Sequence, residues 1–214
     1  DGVSRSTNGR QMGVFTVQQL AGSENAFAAV AHSYTDSTPV LVLPGYPAVR
    51  YLGTPPTFDS VANYSRTTKM AQKVISREQI APKLQQAFTA LRSGRPQPVM
   101  LELPGDVCAA EFKGKLNYAS VERMRSAADS GAVRETAERL IAAEEPLIWA
   151  GHGTLYAEAS DELVAVAELL GAPVMTTLQG KSAFPEAHPL SAGVGALVST
   201  AMAAHYVAAS DLVL

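Results

Sequence analysis

The chain has 214 residues, 47% of them apolar and only 17% charged, with a formal net charge of −3 and an isoelectric point near 5.8. That is length enough for one large or two small domains with a real core, and the alanine-rich, aromatic-poor composition suits an α/β enzyme. Seventeen scattered Lys and Arg residues argue against nucleic acid, a single cysteine (Cys108) excludes a disulfide framework, and no apolar run is long enough to span a bilayer.

In chain order, residues 6–10 read as a loop, so Asp1 to Arg5 would end a preceding element. Gly13 to Val17 is a short buried strand. Ala26, Phe27, Val30, Ala31 and Tyr34 then mark one helical face, with Gly22 or Ser23 as its N-cap. Pro39 to Leu43 is a near-continuous apolar run ended by Pro44-Gly45, the pattern of a strand buried on both faces of a parallel sheet. Residues 44–66 form a long Pro-, Gly- and Tyr-rich stretch without period. Ile80, Leu84, Ala87, Phe88 and Leu91 mark a helix stopping at Gly94, and Pro98 to Leu103 another strand. The mixed charge after Cys108 reads as a linker.

A second α/β unit follows. Val133, Ala137, Leu140 and Ile141 give a helix, and Pro146 to Ala150 a strand that turns at Gly151-His152-Gly153. Leu163, Val166, Ala167 and Leu170 give a helix ended by Gly171. Pro173 to Thr177 is a strand, residues 198–209 are helical, and residues 211–214 begin a strand. Strand and helix alternate throughout, so the expected fold is α/β: two doubly wound, Rossmann-like parallel-sheet domains, both incomplete.

Several segments carry possible chemistry. A Gly-x-Gly turn between strand and helix lets backbone approach a phosphate, but a tight turn without ligand reads equally well; the third glycine of a dinucleotide fingerprint is replaced by Tyr156. Among the histidines, His32 and His205 fall on helices and His188 in a loop where it would hold backbone by hydrogen bonds. Only His152 sits in a candidate site. No histidine pair has metal-ligand spacing, Cys108 lacks a basic neighbour, and no Gly-x-Ser-x-Gly elbow occurs. Gln18 to Asn25 places polar groups where a strand meets a helix, either a ligand-binding edge or an ordinary helix start.

Seven stretches, in order, resemble the thiamine diphosphate enzymes of the acetolactate synthase, benzaldehyde lyase and benzoylformate decarboxylase superfamily. Asp1 to Gly9 resembles "DGYAR-x-TG", Gln18 to Asn25 the "GPGATN" loop, and Ala31 to Leu41 "A-x-AY-x-DS-x-P-x-L". Thr68-Lys69 resembles a "TK" pair, and Ser93 to Val107 "SGRPGPV-x-LEIP-x-DV". Pro146 to Gly153 resembles "P-x-I-x-AG-x-G", and Gly180 to Leu190 "GKGAFPE-x-HPL".

The resemblance implies a pyrimidine-binding domain over residues 1–107 lacking its first strands, a linker over 108–126, and a central domain over 127–214 lacking its end. It implies a lyase or carboligase acting on 2-oxo acids or aldehydes, with decarboxylation through a cofactor ylide and an enamine. The cofactors would be thiamine diphosphate and Mg2+. The catalytic glutamate would lie upstream of Asp1 and the metal ligands in a C-terminal domain, so no catalytic or metal residue is assigned within the chain, and the chain alone is expected to be inactive. Gln18, Ala21, Asn25, Phe58 and Asp59 would face the cofactor. Gly151, His152, Gly153, Thr177 and Leu178 are where FAD or another nucleotide would lie. A cytoplasmic homodimer or homotetramer, touching neither nucleic acid nor membrane, is implied.

Departures accompany the matches. Leu20 and Ala21 stand where the loop has Gly-Pro, and Asp59 stands where "FQE" has glutamine. These point toward a divergent carboligase or decarboxylase. Gly195-Ala196-Leu197 departs from the flavin-associated "GMHG". The alternatives are a nucleotide-binding or structural module without thiamine chemistry, and a flavin-dependent oxidase relative.

Overall fold

A computed structural model describes residues 12–55, 58–112, 114, 117–119, 122, 126–196 and 199–214. The expectations for residues 1–10, for Leu197 and for parts of the 108–126 linker fall outside the described residues. The chain divides into two compact units, residues 1–125 and 126–214.

In the first unit, β1 (Gly13–Val17), β2 (Val40–Tyr46), β3 (Met70–Lys73) and β4 (Val99–Pro104) form one parallel sheet in the order β1-β2-β4-β3. Its helices are α1 (Ala21–Thr35), α2 (Ser60–Tyr64), α3 (Ile80–Arg92) and α4 (Gly105–Ala109). Alternation along β2 explains why both sheet faces are covered. Val40 and Val42 pack with Val30 of α1, Tyr64 of α2 and Met100, while Leu41 packs with Ala87 and Leu91 of α3. The end of α3 is held by Lys69, whose Nζ donates to the carbonyls of Ala90 (2.7 Å) and Ser93. Burial pulls that ammonium's pKa below the usual lysine range.

In the second unit, β5 (Pro146–Ala150), β6 (Val174–Thr176), β7 (Ser191–Val194) and β8 (Leu212–Val213) form a parallel sheet in the order β7-β6-β5-β8. Its helices are α5 (Ser130–Ala142), α6 (His152–Ala157), α7 (Ser160–Leu170) and α8 (Ala201–Ala209). Ile148 and Val174 face Ala167 of α7, whereas Leu147 and Met175 face Ala203 of α8. Gly171 closes α7 in the left-handed conformation, φ 62°.

Several elements differ from the sequence reading. The aperiodic stretch 44–66 contains the end of β2, a 3₁₀ turn at Val49–Tyr51, and α2. Strands β3 and β7 were not foreseen, because Met-Ala-Gln-Lys and Ser-Ala-Gly-Val lack the β-branched or aromatic runs that mark strands. Helix α1 starts earlier than Gly22 or Ser23: its N-cap is Leu20, with no side-chain cap.

Leu20 has φ 58° and ψ −110°, a region that costs a side-chain-bearing residue about 1–3 kcal/mol. Elsewhere alanine is the better residue; here the order reverses. Leu20→Gly is expected to be more stable than Leu20→Ala by about 1 kcal/mol, because only glycine relaxes the backbone. Urea unfolding followed by circular dichroism checks this, and a more stable alanine variant would show that Leu20 is unstrained.

Candidate functional site

The carboxyl ends of β2, β4 and β3 carry Tyr46, Glu102 and Lys73 on the sheet face that α1 and α2 cover. Lys73 and Glu102 are register partners across β3–β4. The Lys73 ammonium lies 2.7 Å from Glu102 Oε2 and 4.0 Å from the centre of the Tyr46 ring. Glu102 is 0% exposed. Burial raises its pKa above the ordinary glutamate range, opposed by Lys73 and Ser60.

Above this floor lies a cavity of about 580 Å³ bounded by Leu20, Glu24, Tyr46, Phe58, Asp59 and Lys73. The surrounding loops are each tied down. Tyr46 donates its hydroxyl to the Tyr51 carbonyl (3.0 Å), and both Asp106 oxygens accept from the Val49 amide (3.1 Å each). Asp59 caps α2 by accepting from Ala62 N (3.0 Å), and Phe58 packs on the apolar cluster beneath. Tyr64 donates to the Ser23 carbonyl (2.5 Å), joining α2 to the first turn of α1.

The 18–22 turn lies close against β2. A Cβ on Gly45 would approach Gln19 N to 3.3 Å, and one on Gly22 would meet Gln18 Cβ at 2.9 Å. Glycine there permits the close approach.

Of the residues singled out from the sequence, Phe58 and Asp59 line this cavity. Gln18, Ala21 and Asn25 are exposed around the start of α1, beside the lining residues Leu20 and Glu24. Lys73, Tyr46 and Glu102 were missed. A lysine closing an unrecognised strand and a glutamate inside an apolar one gave the only signal.

In the second unit the two suspected turns are adjacent. Thr177 N donates to Ala150 O (3.0 Å), and Gly180 N to Thr177 Oγ1 (3.0 Å). Gly151 caps α6, the His152 ring lies 4.4 Å from the Tyr156 ring, Gly153 follows, and Leu178 is exposed. Open space surrounds the Cβ positions of Gly151 and Gly153, but a Cβ on Gly180 would stand 2.7 Å from Ala150 O.

Gly180→Ala must therefore push backbone against backbone, an expected loss of about 1–3 kcal/mol. Trp149, the only tryptophan, lies on β5 of this unit, so its fluorescence in urea reads the loss directly. An unshifted midpoint would mean the turn yields freely.

The other histidines and the cysteine have ordinary surroundings. His188 accepts from Leu190 N at Nδ1 (3.2 Å) and meets Glu168 through Nε2 (3.2 Å), so it holds a loop. His32 pairs with Asp36 within α1 at 2.8 Å, His205 lies on α8, and Cys108 is exposed. Among the described residues, no group of three or more His, Cys, Asp or Glu side chains could hold a metal ion. No helix among them is long and apolar enough to cross a membrane.

Comparison with known proteins decides the family. Residues 1–79 match the model of the thiamine pyrophosphate enzyme N-terminal TPP-binding domain, and residues 133–214 match that of the central domain. The chain belongs to the thiamine pyrophosphate enzyme family.

Similar family members include the acetolactate synthase large subunit of Haemophilus influenzae, 28% identical over 221 residues, with 100% of this chain and 38% of that protein covered. Acetolactate synthase isozyme 3 of Escherichia coli is 31% identical over 201 residues, covering 91% of this chain and 35% of that protein. A "Probable 2-ketoarginine decarboxylase" of Pseudomonas aeruginosa is 33% identical over 220 residues, covering 100% and 38%.

Among solved structures, a Mycobacterium smegmatis protein assigned as a thiamin diphosphate-dependent enzyme superposes with a TM-score of 0.86 at 26% identity, covering 99% of this chain and 41% of that one. Benzoylformate decarboxylase of Polynucleobacter necessarius, at 23% identity and TM-score 0.87, shares the fold, covering 99% and 40%. The chain thus spans less than half the length of the thiamine pyrophosphate enzymes it matches.

Proposed function

We propose that the first unit forms the pyrimidine side of a thiamine diphosphate site, and the second the central domain, of a lyase or carboligase acting on 2-oxo acids. The observation that carries this is the cavity at the carboxyl ends of a parallel sheet, the edge where open α/β sheets bind ligands. Its size and lining suit a flat heteroaromatic ring. Tyr46, Phe58 and Leu20 offer an apolar wall, and Glu24 and Asp59 offer carboxylates that accept from an amino group. When bound, thiamine diphosphate supplies the carbon nucleophile and the electron sink for loss of carbon dioxide. The chain's own residues hold the ring, exclude water from one side and fix its tilt.

Gln18, Ala21 and Asn25 flank the ring in this proposal. Mg2+ is carried with the diphosphate by chain outside these residues, and the active site is shared within a homodimer or homotetramer in the cytoplasm. Gly151, His152, Gly153, Thr177 and Leu178 are the proposed place of a flavin or adenine nucleotide. The departures at Leu20-Ala21 and at Asp59 support a divergent decarboxylase or carboligase over acetolactate synthase proper.

The test is carbon dioxide release from pyruvate and larger 2-oxo acids by the whole protein. Release should require thiamine diphosphate and Mg2+, and Phe58→Ala should raise the cofactor concentration needed about tenfold. Release that ignores the cofactor would contradict the thiamine reading, and a protein inert toward every 2-oxo acid would leave the binding-module reading in its place.

A further inference from the structure

Lys73 is the cation among the described residues that line the cavity, and the proposed cofactor ring makes no use of its charge. Its side chain is 17% exposed, so its charge is poorly screened by water. An ammonium carries three N–H donors. The nitrogen lies 2.7 Å from Glu102 Oε2, as an ion pair, and 4.0 Å from the centre of the Tyr46 ring. No other partner of the ammonium is seen among the described residues, which leaves it a donor for a ligand.

Glu102 and Tyr46 fix the direction of this donor from below and from one side. Both come from strands rather than loops, so the ammonium is held in place before a ligand arrives.

Two other charged groups face the same cavity, Glu24 and Asp59. Both are exposed, and both are offset by helix ends. Asp59 caps α2 through Ala62 N, and Glu24 lies in the first turn of α1. Solvent screens them at the rim, whereas Lys73 acts at the floor.

We propose that Lys73, positioned by Glu102 and Tyr46, anchors the carboxylate of the 2-oxo acid in this cavity. The assignment rests on the thiamine diphosphate reading of the same site. A small carboxylate fits better than a larger anion, because a single inward donor beside an aromatic ring offers one charge-assisted bond and no fork.

The test uses oxamate, an unreactive 2-oxo acid analogue, titrated calorimetrically into the whole protein loaded with thiamine diphosphate and Mg2+. Removing Lys73 alone strands a buried Glu102, so the informative variant is the neutral pair Lys73→Met with Glu102→Gln. Lys73→Arg is its charge-conserving counterpart. The neutral pair should weaken oxamate about tenfold or more while changing the cofactor's dissociation constant less than about twofold, and Lys73→Arg should retain most of the affinity.

Unchanged oxamate affinity in the neutral pair, with cofactor binding intact, would overturn the role of Lys73 alone. Inorganic phosphate displacing oxamate at equal concentration would overturn the carboxylate assignment, as would failure of the loaded wild type to bind oxamate. A wild type that binds no thiamine diphosphate would overturn the cofactor reading first, and this proposal with it.

Discussion

Tyr64→Ala is expected to cost about 3–5 kcal/mol, enough to unfold the first unit or leave it marginal. Tyr64 is 0% exposed and sits in the cluster of Val30, Val40, Val42 and Met100, with its ring edge-on to Phe27 at 5.3 Å. Deleting it opens a cavity between α1, α2 and the sheet. Its hydroxyl also donates to the Ser23 carbonyl across 41 positions of sequence, and burial lifts its pKa to about 12. Tyr64→Phe keeps the ring but removes that hydrogen bond, a loss of about 0.5–1.5 kcal/mol, because the Ser23 carbonyl keeps its donor within the helix.

The two variants separate packing from hydrogen bonding. Far-UV circular dichroism reads both units, while Trp149 fluorescence reads residues 126–214. The expected result is a large loss in the dichroism transition. A Tyr64→Ala protein as stable as wild type would contradict the packing described for this face. Because Ser23 lies in the first turn of α1, Tyr64→Phe should also loosen the cavity wall and weaken thiamine diphosphate binding in the whole protein.

The second large effect is electrostatic. Lys73→Met leaves Glu102 buried without its counter-ion, an expected loss of about 3–5 kcal/mol near neutral pH. The pH dependence carries a definite sign. Burial raises the pKa of Glu102 in the folded chain, so the folded state holds its proton to higher pH than the unfolded state. The penalty of the buried charge is therefore absent at low pH, where both states are protonated. Stability then falls as pH rises, from the unfolded glutamate value of about 4.3 up to the raised native value, and levels off above it.

Lys73 opposes that rise in pKa, so Lys73→Met should make the fall steeper and longer. Glu102→Gln should remove it. Urea midpoints of the three proteins between about pH 4 and pH 8 test this. Parallel curves for all three would mean that Glu102 is solvated and that the pair contributes nothing.

Much of the fold was legible because apolar periodicity and burial coincide. Val40 to Val42 and Val99 to Leu101 are buried on both faces, and unbroken apolar runs announce that. Helix α3 carries its pattern at Ile80, Leu84, Ala87, Phe88 and Leu91, and Gly94 follows with φ 56°. Strands β3 and β7 were hidden because their residues are small or half-exposed, so backbone pairing rather than side-chain character defines them. Helix α2 was hidden because five residues are too few to show a period; its stability comes from the Asp59 cap and the burial of Tyr64.

The candidate site was legible in half. Phe58, Asp59 and the 18–25 loop stood out by motif. The Lys73–Glu102–Tyr46 floor could not be seen, because three strands distant in sequence bring it together. The Gly180 contact was likewise invisible: it depends on the 150–151 turn lying over residue 180, which only the sheet order creates.

The most direct test of the pyrimidine-side assignment is calorimetric titration of the whole protein with thiamine diphosphate in the presence of Mg2+, repeated on Phe58→Ala. Saturable, Mg2+-dependent binding is expected in the wild type, weakened about tenfold in the variant. Absence of binding, or equal affinity in both proteins, would contradict the assignment of the cavity at the ends of β2, β3 and β4 to the cofactor.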